Sequence, residues 1–369
     1  MTNTEHPFFS IVVPCCDVAR YLAELAESLR GQSFGNWECI LSYEESSDET
    51  LASCEALVRG DARFRLVKGP RSGSPATPRN RAFAEARGVY VVWLDGDDWL
   101  ANEALRRLAD GIRRAGAPVD LVQGGVTEYK EDADGRRTLV GRHFNFTAED
   151  NGRILGGFAA LERFAALNYA WPMASLSVCR SAFLREQDLT FATGLKFEDE
   201  EWTPRAVTLA RRILILDLDI FTYRRRAGSV TTTMQELTRL RHYARVAHSQ
   251  FTFFAGQDLP PATSAAVARY YLGEFGKIFF WRSDEADASR PSPQEMTDCL
   301  RLVLEAGGRR AIWKLARHTT PARRVGAFLL LFAGIHPLLD RLVQFYMRQY
   351  FERTLRRYRK QTAQMKDTP

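Results

Sequence analysis

The stretch of sequence that decides the fold is VYVVWLDGDD, at residues 89–98. Its first six residues are apolar or aromatic and predict a buried β-strand. Asp95, Asp97 and Asp98 follow that strand, and such closely spaced carboxylates repel one another unless a cation or a hydrogen-bond network compensates their charge. A divalent metal that also carries phosphate oxygens is one such cation. The other interpretation of this motif is an acidic loop that caps the helix predicted from about residue 102.

Strand and helix signals alternate on both sides of this stretch. Short apolar or β-branched runs predict strands at residues 9–13, 37–41, 63–68, 89–94 and 120–126. Amphipathic segments predict helices at residues 18–30, 49–58, 76–87 and 102–115. Strands that alternate with helices of about 10 to 15 residues predict right-handed crossovers and an α/β fold with a mainly parallel sheet.

The pattern changes in the second half of the chain. A polar run at residues 131–135 predicts a turn or a hairpin tip. Beyond it we predict a helix at residues 158–167, a strand at 173–180, a helix at 199–211 and a buried strand at 213–216. From about residue 237 to the end the pattern is almost wholly helical, with a polar break at 283–293.

The composition is that of a globular protein. Of the 369 residues, 45% are hydrophobic and 26% are charged, which is enough to bury a substantial core. The six cysteines have neither metal-ligand spacing nor a small-domain disulfide pattern, which favours a reducing cytosol. No charged-then-apolar leader precedes the first predicted strand, so we do not expect secretion by a cleaved signal.

The net charge of +6 is unevenly distributed along the chain. From residue 301 onward, 15 Lys and Arg stand against 4 Asp and Glu, a surplus of +11. The first 300 residues therefore carry a net charge of −5. This distribution favours a surface partner for the basic tail and argues against nucleic-acid binding, for which the sequence has no recognised motif.

The basic tail contains an apolar segment and an aromatic-rich segment. The apolar core within residues 323–337 is shorter than the roughly 20 residues that span a bilayer, and Pro337 interrupts it. Residues 341–360 combine aromatic side chains with a cluster of arginines. Two interpretations of this tail are open. One is a peripheral membrane contact through residues 323–360 on an anionic inner leaflet, and the other is a helical cap or dimer interface with a solvated basic face.

Four charged clusters are expected in loops or at a helix start. They are Asp17 after the first strand, residues 44–48 after the second, residues 95–98 after the fourth, and residues 198–202 at a helix start. Because the loops after successive parallel strands converge on one edge of a sheet, we expect the first three clusters to share a cleft. The six histidines form no pair with metal-ligand spacing.

Several short motifs occur in a fixed order along residues 8–232. They are SIVVP at 10–14, EESSD at 44–48, RNRA at 79–82, VWLDGDDWL at 92–100, EDEEW at 198–202 and the looser YRRRAGSVT at 223–231. This order resembles glycosyltransferase family 2 and is more specific than any single motif. The resemblance implies a Rossmann-like GT-A fold, a nucleotide-diphosphate-sugar donor, a divalent metal and inversion at the anomeric carbon.

The resemblance also implies a division into domains. A GT-A domain would occupy residues 1–235, with a nucleotide-binding half at 1–126 and an acceptor half at 127–235. A mostly α-helical C-terminal region with the basic amphipathic tail would occupy residues 236–369.

The resemblance implies donor-binding roles for residues in the converging loops. Pro14 would shape the turn after the first strand, and Asp17 would accept hydrogen bonds from ribose hydroxyls. Glu44 would accept a hydrogen bond from the imide N–H of a uracil or a similar base. Arg79, and Arg226 within the arginine run 224–226, would pair with the diphosphate, for which the rigid guanidinium fork is suited.

Two of these assignments have simpler alternatives. Residues 44–48 would also serve as an ordinary cap for the following helix, and Arg79 as a solvated helix charge. Glu45 stands where the family has a glycine, whose backbone geometry a glutamate resists. This departure from the family pattern affects the part of the loop that would recognise the base.

The acidic loop, residues 95–98, would hold the metal. The resemblance implies that Asp97 binds manganese or magnesium directly and that Asp95 contacts the ribose or a metal-bound water. The metal would neutralise the departing diphosphate. Some relatives place a metal-binding histidine in the closing segment, which corresponds to residues 223–231 here, whereas this sequence has Arg226 or a neighbour there. We therefore expect a loosely held ion that arrives with the donor.

Glu198 and Asp199 form the second acidic pair. Inverting transfer needs a carboxylate that takes the proton of the acceptor hydroxyl as this hydroxyl attacks the anomeric carbon. We assign that role to Asp199, with Glu198 beside it and Glu200 and Glu201 as rivals. A position at a helix start predicts a lowered pKa for Asp199 and a weakly basic carboxylate. The alternative is an acidic helix start with ordinary capping.

The sequence thus predicts a metal-dependent inverting glycosyltransferase. It would move a sugar from a nucleotide-diphosphate sugar, with a UDP-sugar favoured, to a hydroxyl of a cell-surface polysaccharide or a lipid-linked acceptor. We expect it in the cytoplasm, in peripheral contact with the inner face of the plasma membrane, and an oligomer is compatible with the sequence. The alternative is a non-catalytic family member that binds nucleotide and acts as a scaffold in a polysaccharide-assembly complex, which Glu45 and the missing histidine favour.

Overall fold

The structure is a computed structural model that divides the chain into two compact units, Met1–Thr233 and Met234–Pro369. It describes residues 6–167, 173–226, 234–269, 292–305 and 307–318. The predicted tail contact at 323–360 and almost all of the polar break at 283–293 lie outside the described residues.

The described part of the first unit contains one ten-stranded sheet. Its strands are β1 Phe9–Cys15, β2 Trp37–Glu44, β3 Phe64–Gly69, β4 Tyr90–Trp93, β5 Trp99–Leu100, β6 Leu121–Glu131, β7 Arg137–Phe144, β8 Ile154–Leu155, β9 Ser177–Arg180 and β10 Ile213–Arg225. The strand order is β3-β2-β1-β4-β9-β6-β10-β5, with β7 paired to β6 and β8 paired to β10.

Helices connect most of these strands. They are α1 Ala19–Arg30, α2 Thr50–Gly60, α3 Ala76–Ala84, α4 Ala104–Arg114, α5 Gly157–Leu167, α6 Ser181–Glu186 and α7 Glu198–Leu209. Short 3-10 helices lie at Ala148–Asp150 and Ala174–Leu176. Strands β1 to β4 run parallel to their neighbours among these four, as β6 and β10 do to each other, so the predicted α/β fold with a large, mainly parallel sheet is confirmed.

Three details differ from the predicted elements or refine them. The predicted strand at residues 173–180 divides into the 3-10 helix Ala174–Leu176 and β9, which runs antiparallel between β4 and β6. The predicted strand at 213–216 continues as β10 to Arg225. The polar run at 131–135 is the tip of the antiparallel β6–β7 hairpin, as predicted.

Both faces of the central strands are buried. Ile11 and Val13 of β1 lie in the core cluster that includes Leu22 and Leu25 of α1. The opposite face carries Trp93 of β4, which is also fully buried. Strands covered on both faces are near-continuous apolar runs, which explains why residues 90–94 show no polar alternation.

An aromatic cluster on the second face fixes the start of α7. The Trp93 ring lies 5.0 Å from Phe191 and 5.8 Å from Trp202 of α7. Phe191 stacks on Trp202 with ring centroids 4.8 Å apart, and Trp202 Nε1 donates a hydrogen bond to the Leu189 carbonyl at 3.2 Å. The end of β4 and the start of α7 are thereby packed against each other.

The described part of the second unit is helical, as predicted. Its helices are α8 Glu236–Gly256, α9 Pro293–Leu304 and α10 Gly308–Ala316, and residues 261–269 are also helical. Ser292 and Glu295 form a reciprocal capping box at the start of α9. Among the described residues, the structure has no helix with the length and apolar character needed to cross a membrane.

Candidate active site

The loops after β1, β2 and β4 meet at the carboxyl edge of the sheet. The Ser47 backbone N–H donates to Asp17 Oδ1 at 2.6 Å, and the Ala19 N–H donates to Asp48 Oδ2 at 3.0 Å. The β4 loop approaches the end of β1 so closely that a Cβ added to Gly96 would lie 2.8 Å from the Pro14 carbonyl oxygen. The three clusters expected to share a cleft are therefore neighbours.

Asp17 has a positive φ of 53°, an uncommon backbone conformation for a residue with a side chain. Besides Ser47, its carboxylate holds Arg71, whose Nη2 donates to Asp17 Oδ2 at 2.6 Å. Arg71 lies in the loop after β3 and was not predicted as a site residue. The convergence of loops after parallel strands applies to β3 as well, and it would have pointed to this residue.

Glu44 is buried at the end of β2. Its Oε2 accepts hydrogen bonds from the backbone N–H of Ser72 at 3.1 Å and from Ser72 Oγ at 3.0 Å. Its Oε1 lies 3.5 Å from Arg81 Nη2 and has no hydrogen-bond partner within the described residues. This oxygen is available to a ligand N–H, because a buried acceptor without a donor is energetically costly.

The capping interpretation of residues 44–48 applies to one end of the segment. Asp48 Oδ1 accepts a hydrogen bond from the Thr50 N–H at 3.0 Å, beside the start of α2, whereas Glu44 points to Ser72. Glu45 is exposed, and its φ is not positive. The concern that glutamate resists a glycine-like backbone at this position is therefore removed.

Arg79 links the acidic loop after β4 to the acidic start of α7. Its Nη2 donates to Asp95 Oδ1 at 2.6 Å and its Nη1 donates to Glu198 Oε1 at 2.5 Å. The Arg79 side chain is 4% exposed, so the alternative of a solvated helix charge is wrong. One buried guanidinium thus holds the end of β4 and the start of α7 on the two sides of the same site.

Asp199 differs from the prediction in the sign of its pKa shift. Burial raises the pKa of Asp199 to about 7, the neighbouring Glu198 carboxylate acts in the same direction, and Arg79 opposes this increase. Burial also raises the pKa of Glu198, again against the effect of Arg79. The helix start, which was expected to lower the pKa of Asp199, is outweighed by desolvation and by the second carboxylate.

Arg224 of β10 holds the acidic loop in place. Its backbone N–H donates to Asp98 Oδ1 at 2.8 Å, and its Nε donates to the Asp97 carbonyl oxygen at 2.7 Å. Its other guanidinium nitrogens donate to Glu24 and Glu131. Arg224 is buried and fully engaged in these contacts, so this member of the run 224–226 supports the loop, and the predicted diphosphate role stays with Arg226.

Arg226 pairs with the predicted metal ligand. Its Nε donates to Asp97 Oδ2 at 2.8 Å, and its guanidinium lies 5.0 Å from the centre of the Tyr21 ring. Burial raises the pKa of Asp97, Arg226 lowers it, and Asp95 raises it again. The structure thus brings Arg226 to the acidic loop, as a partner of the carboxylate.

The acidic loop fits a divalent ion in its chemistry. Asp95 and Asp97 are hard oxygen donors, and magnesium is often bound by one or two carboxylates together with substrate phosphates. Within the described residues there is no group of three or more His, Cys, Asp and Glu side chains that would hold a metal without a ligand. The residues present therefore suit an ion that is completed by phosphate oxygens.

Similarity to a known family covers most of these loops. The sequence model described as Glycosyl transferase family 2 matches residues 10–168, which include every loop named above except the Glu198–Asp199 pair and the closing segment. The glycosyltransferase GlyG of Streptococcus pneumoniae is 27% identical over 239 residues, which are 64% of this chain and 77% of that protein.

Another similar protein is TarS of Staphylococcus aureus, a poly(ribitol-phosphate) β-N-acetylglucosaminyltransferase. It is 27% identical over 223 residues, which are 58% of this chain and 35% of TarS. The crystal structure of TarS residues 1–349 with UDP-GlcNAc superimposes with a TM-score of 0.65 at 20% identity, covering 94% of this chain and 92% of that one.

A third similarity is to a mannosyltransferase. PcManGT from Pyrobaculum calidifontis, solved with GDP-Man and Mn²⁺, superimposes with a TM-score of 0.51 at 16% identity and covers 93% of this chain and 86% of that one. At such identities the two superpositions show a common fold. Residues 10–168 therefore match glycosyltransferase family 2, and the chain has the GT-A fold and is a glycosyltransferase.

Proposed function

We propose that the protein transfers a sugar from a nucleotide-diphosphate sugar to a hydroxyl group of a cell-surface polysaccharide or a lipid-linked acceptor, with inversion at the anomeric carbon. A UDP-sugar is the favoured donor, and manganese or magnesium is the proposed cofactor. The nucleotide-binding half would be residues 1–126 and the acceptor half residues 127–235.

The observation that carries this proposal is the Arg79 bridge. Asp95 on the predicted donor side and Glu198 on the predicted acceptor side contact the same guanidinium, at 2.6 Å and 2.5 Å. A transfer reaction needs a leaving-group site and a proton acceptor on opposite sides of one reacting carbon. The geometry is compatible with this requirement, because Arg79 lies between Asp95 and Glu198.

The proposed chemistry is a single displacement. The acceptor oxygen forms a bond to the anomeric carbon while the bond from that carbon to the diphosphate oxygen breaks, and the diphosphate leaves with the bonding electrons. Asp199 takes the proton of the attacking hydroxyl. A carboxylate with a pKa of about 7 is a stronger base than an ordinary aspartate and remains largely ionised above that pH.

Donor binding is proposed for the loops after β1, β2 and β4. Pro14 and Asp17 lie at the end of β1, where ribose hydroxyls would meet the Asp17 carboxylate. The unsatisfied Oε1 of Glu44 would accept the imide N–H of uracil, which supports a UDP-sugar. Structures of TarS with UDP and UDP-GlcNAc are consistent with this donor class.

Asp97, with Asp95 beside it, would hold the metal. A bound divalent ion would neutralise the charge that develops on the diphosphate as it leaves. Arg79 and Arg226 would add positive charge on the same side of the reacting carbon. The Mn²⁺ in the PcManGT structure is consistent with a metal in this class of enzymes.

The acceptor and the location are proposed from the relatives and from the tail. TarS carries poly(ribitol-phosphate) in its name, which is consistent with a cell-surface polymer as acceptor. Residues 323–360 would bring the enzyme to the inner face of the plasma membrane, where lipid-linked acceptors lie. The protein would thus act in the cytoplasm.

The experiment measures donor hydrolysis and sugar transfer with a panel of nucleotide sugars, in the presence of Mn²⁺ and after chelation. We expect activity with a UDP-sugar that is lost on chelation and in Asp97→Ala. Asp110→Asn, which removes an exposed carboxylate on α4, is the matched control and should keep its activity. Full activity of Asp97→Ala after chelation would contradict the metal role.

A nucleotide-binding scaffold predicts a different result in the same assay. Calorimetry would then show tight binding of a nucleotide diphosphate, while no donor and acceptor pair would give turnover. The normal backbone at Glu45 removes one of the two sequence features that favoured this alternative.

A further inference from the structure

We propose that Arg226 prevents Asp97 from binding a divalent cation until a nucleotide diphosphate is bound. The inference rests on the proposed function, because it assumes that Asp97 is the metal ligand. It adds a residue that controls the order of binding. In this scheme the free enzyme binds the metal weakly, and the metal and the nucleotide each strengthen the binding of the other.

The first step of the argument is the Arg226–Asp97 pair itself. Arg226 Nε lies 2.8 Å from Asp97 Oδ2, and both side chains are 21% exposed. The guanidinium also lies over the Tyr21 ring, whose centre is 5.0 Å away. A partly buried, charge-assisted pair of this kind is held more firmly than a pair of surface charges.

The second step is the competition between two cations for one carboxylate. A metal ion bound to Asp97 would lie within a few ångströms of the Arg226 guanidinium, and the two positive charges would repel each other. An ion at Oδ2 would have to displace Arg226 from that oxygen, and an ion at Oδ1 would be repelled by the guanidinium beside it. In the free protein, Arg226 thus lowers the affinity of Asp97 for any divalent cation.

The third step is the difference between Arg226 and Arg79. Arg79 is 4% exposed and pairs with both Asp95 and Glu198, so its departure would leave two carboxylates without this charge partner. Arg226, in contrast, is more exposed, and in the described part of the chain its ion pair is with Asp97. Of the two arginines, Arg226 is the one that can change partner.

The diphosphate supplies the new partner. Its oxygens form paired hydrogen bonds with a guanidinium, so it draws Arg226 away from Asp97 and places phosphate oxygens beside the freed carboxylate. The cation then finds carboxylate and phosphate oxygens together. Because coupling between two ligands is reciprocal, the metal strengthens nucleotide binding by the same factor.

The test measures Mn²⁺ binding to the full chain without turnover. The electron paramagnetic resonance signal of free Mn²⁺ is titrated with the protein, alone and with UDP, after subtraction of the Mn²⁺ that UDP binds by itself. For the wild type we expect weak binding alone and binding at least about tenfold tighter with UDP. Arg226→Gln should bind Mn²⁺ alone at least about tenfold more tightly than the wild type and should lose most of the UDP effect.

Two control variants keep the test specific. Arg225→Gln removes the same charge from the adjacent, exposed arginine, whose Nη1 lies 3.7 Å from Glu128 Oε1. This variant should bind Mn²⁺ like the wild type. Arg226→Lys keeps the positive charge beside Asp97, so it should retain weak Mn²⁺ binding in the absence of UDP. A general effect of net charge would instead change Arg225→Gln and Arg226→Gln equally, and this would overturn the proposal.

The outcomes separate the inference from the proposed function. If Asp97→Asn loses Mn²⁺ binding in the presence of UDP but Arg226→Gln matches the wild type, Asp97 is the ligand and the role of Arg226 is wrong. If Asp97→Asn binds Mn²⁺ as the wild type does, the metal role of Asp97 fails, and the inference fails with it. Tight binding of Mn²⁺ to the wild type without UDP also overturns the inference.

Discussion

At the scale of single residues, the carboxyl of Asp199 determines the pH dependence that we expect. Burial raises its pKa to about 7, and the Glu198 carboxylate contributes in the same direction. The base must be ionised to accept a proton, so its active fraction falls as the pH drops below the raised pKa. We expect kcat at saturating donor to fall about tenfold per pH unit well below pH 7 and to level off at higher pH.

Substitutions of neighbouring acids test this assignment. Asp199→Asn should lower kcat by about 10²- to 10⁴-fold and remove the acidic limb of the pH profile. Glu200→Gln changes the next residue of the same helix start and should keep both the limb and most of the activity. A profile that stays flat down to about pH 5 would show that the group with the raised pKa is not the base.

The residue scale is also where the sequence was least informative. The helix start at Asp199 is visible in the sequence and predicts a lowered pKa, yet Glu198, Asp95 and the surrounding burial act in the opposite direction. Their combined effect depends on distances across the fold, which local patterns do not contain. Arg79 shows the same limit, since its burial between two carboxylates depends on the packing of α3 against α7 and β4.

At the scale of elements, the topology of the sheet made the convergence of the loops predictable. Strands β2, β1 and β4 are neighbours in the sheet, so the loops after them had to meet once a parallel arrangement was inferred. The same argument extends to the loop after β3, which carries Arg71. Strand order alone did not predict that the start of α7 reaches this edge, because its contact with β4 runs through Trp93 and Trp202, which are far apart in the sequence. That expectation came from the family resemblance.

The length of β10 shows why strand ends are hard to predict. The apolar run at 213–216 ends at Asp217, but the strand continues because Leu218 and Ile220 are buried while Asp217 and Asp219 lie on the other face. Arg142 of β7 pairs with both aspartates at 2.6 Å. Alternation with period two thus marks a half-buried continuation of a fully buried strand.

Gly96 provides a test of the turn between β4 and β5. A Cβ at this position would lie 2.8 Å from the Pro14 carbonyl oxygen and 3.0 Å from Val18, so Gly96→Ala must move the acidic loop away from β1. We expect a loss of about 1–3 kcal/mol in the free energy of unfolding, measured by urea denaturation, together with a clear loss of activity.

The matched control for Gly96 is on the β6–β7 hairpin. A Cβ added to Gly141 of β7 would meet no described atom within 4 Å, and the φ of Gly141 is not positive. Gly141→Ala should therefore change the free energy of unfolding by less than about 0.5 kcal/mol. Equal effects of the two substitutions would mean that the close approach of the β4 loop to β1 does not limit what position 96 accepts.

At the scale of the whole molecule, charge divides the chain more sharply than any motif. The first 300 residues carry a net charge of −5, while the remainder carries +11. An acidic body is repelled by an anionic bilayer, so attraction must come from the tail. Charge and hydropathy are properties of the sequence itself, and this partition was predictable without any structure.

The tail therefore carries the last prediction, which is measured by flotation of the full chain with vesicles. We expect binding to anionic vesicles at low salt, little binding to neutral ones, and a loss of binding as salt screens the charges. Each basic residue near an anionic surface contributes about 1 kcal/mol, so replacing four of them by Gln should weaken binding by about 10²- to 10³-fold. The four are Arg356, Arg357, Arg359 and Lys360.

The control replaces four arginines of α4 and should float normally; these are Arg106, Arg107, Arg113 and Arg114. Unchanged flotation of the tail variant would exclude the membrane contact and favour a cap or a dimer interface, which sedimentation would then distinguish.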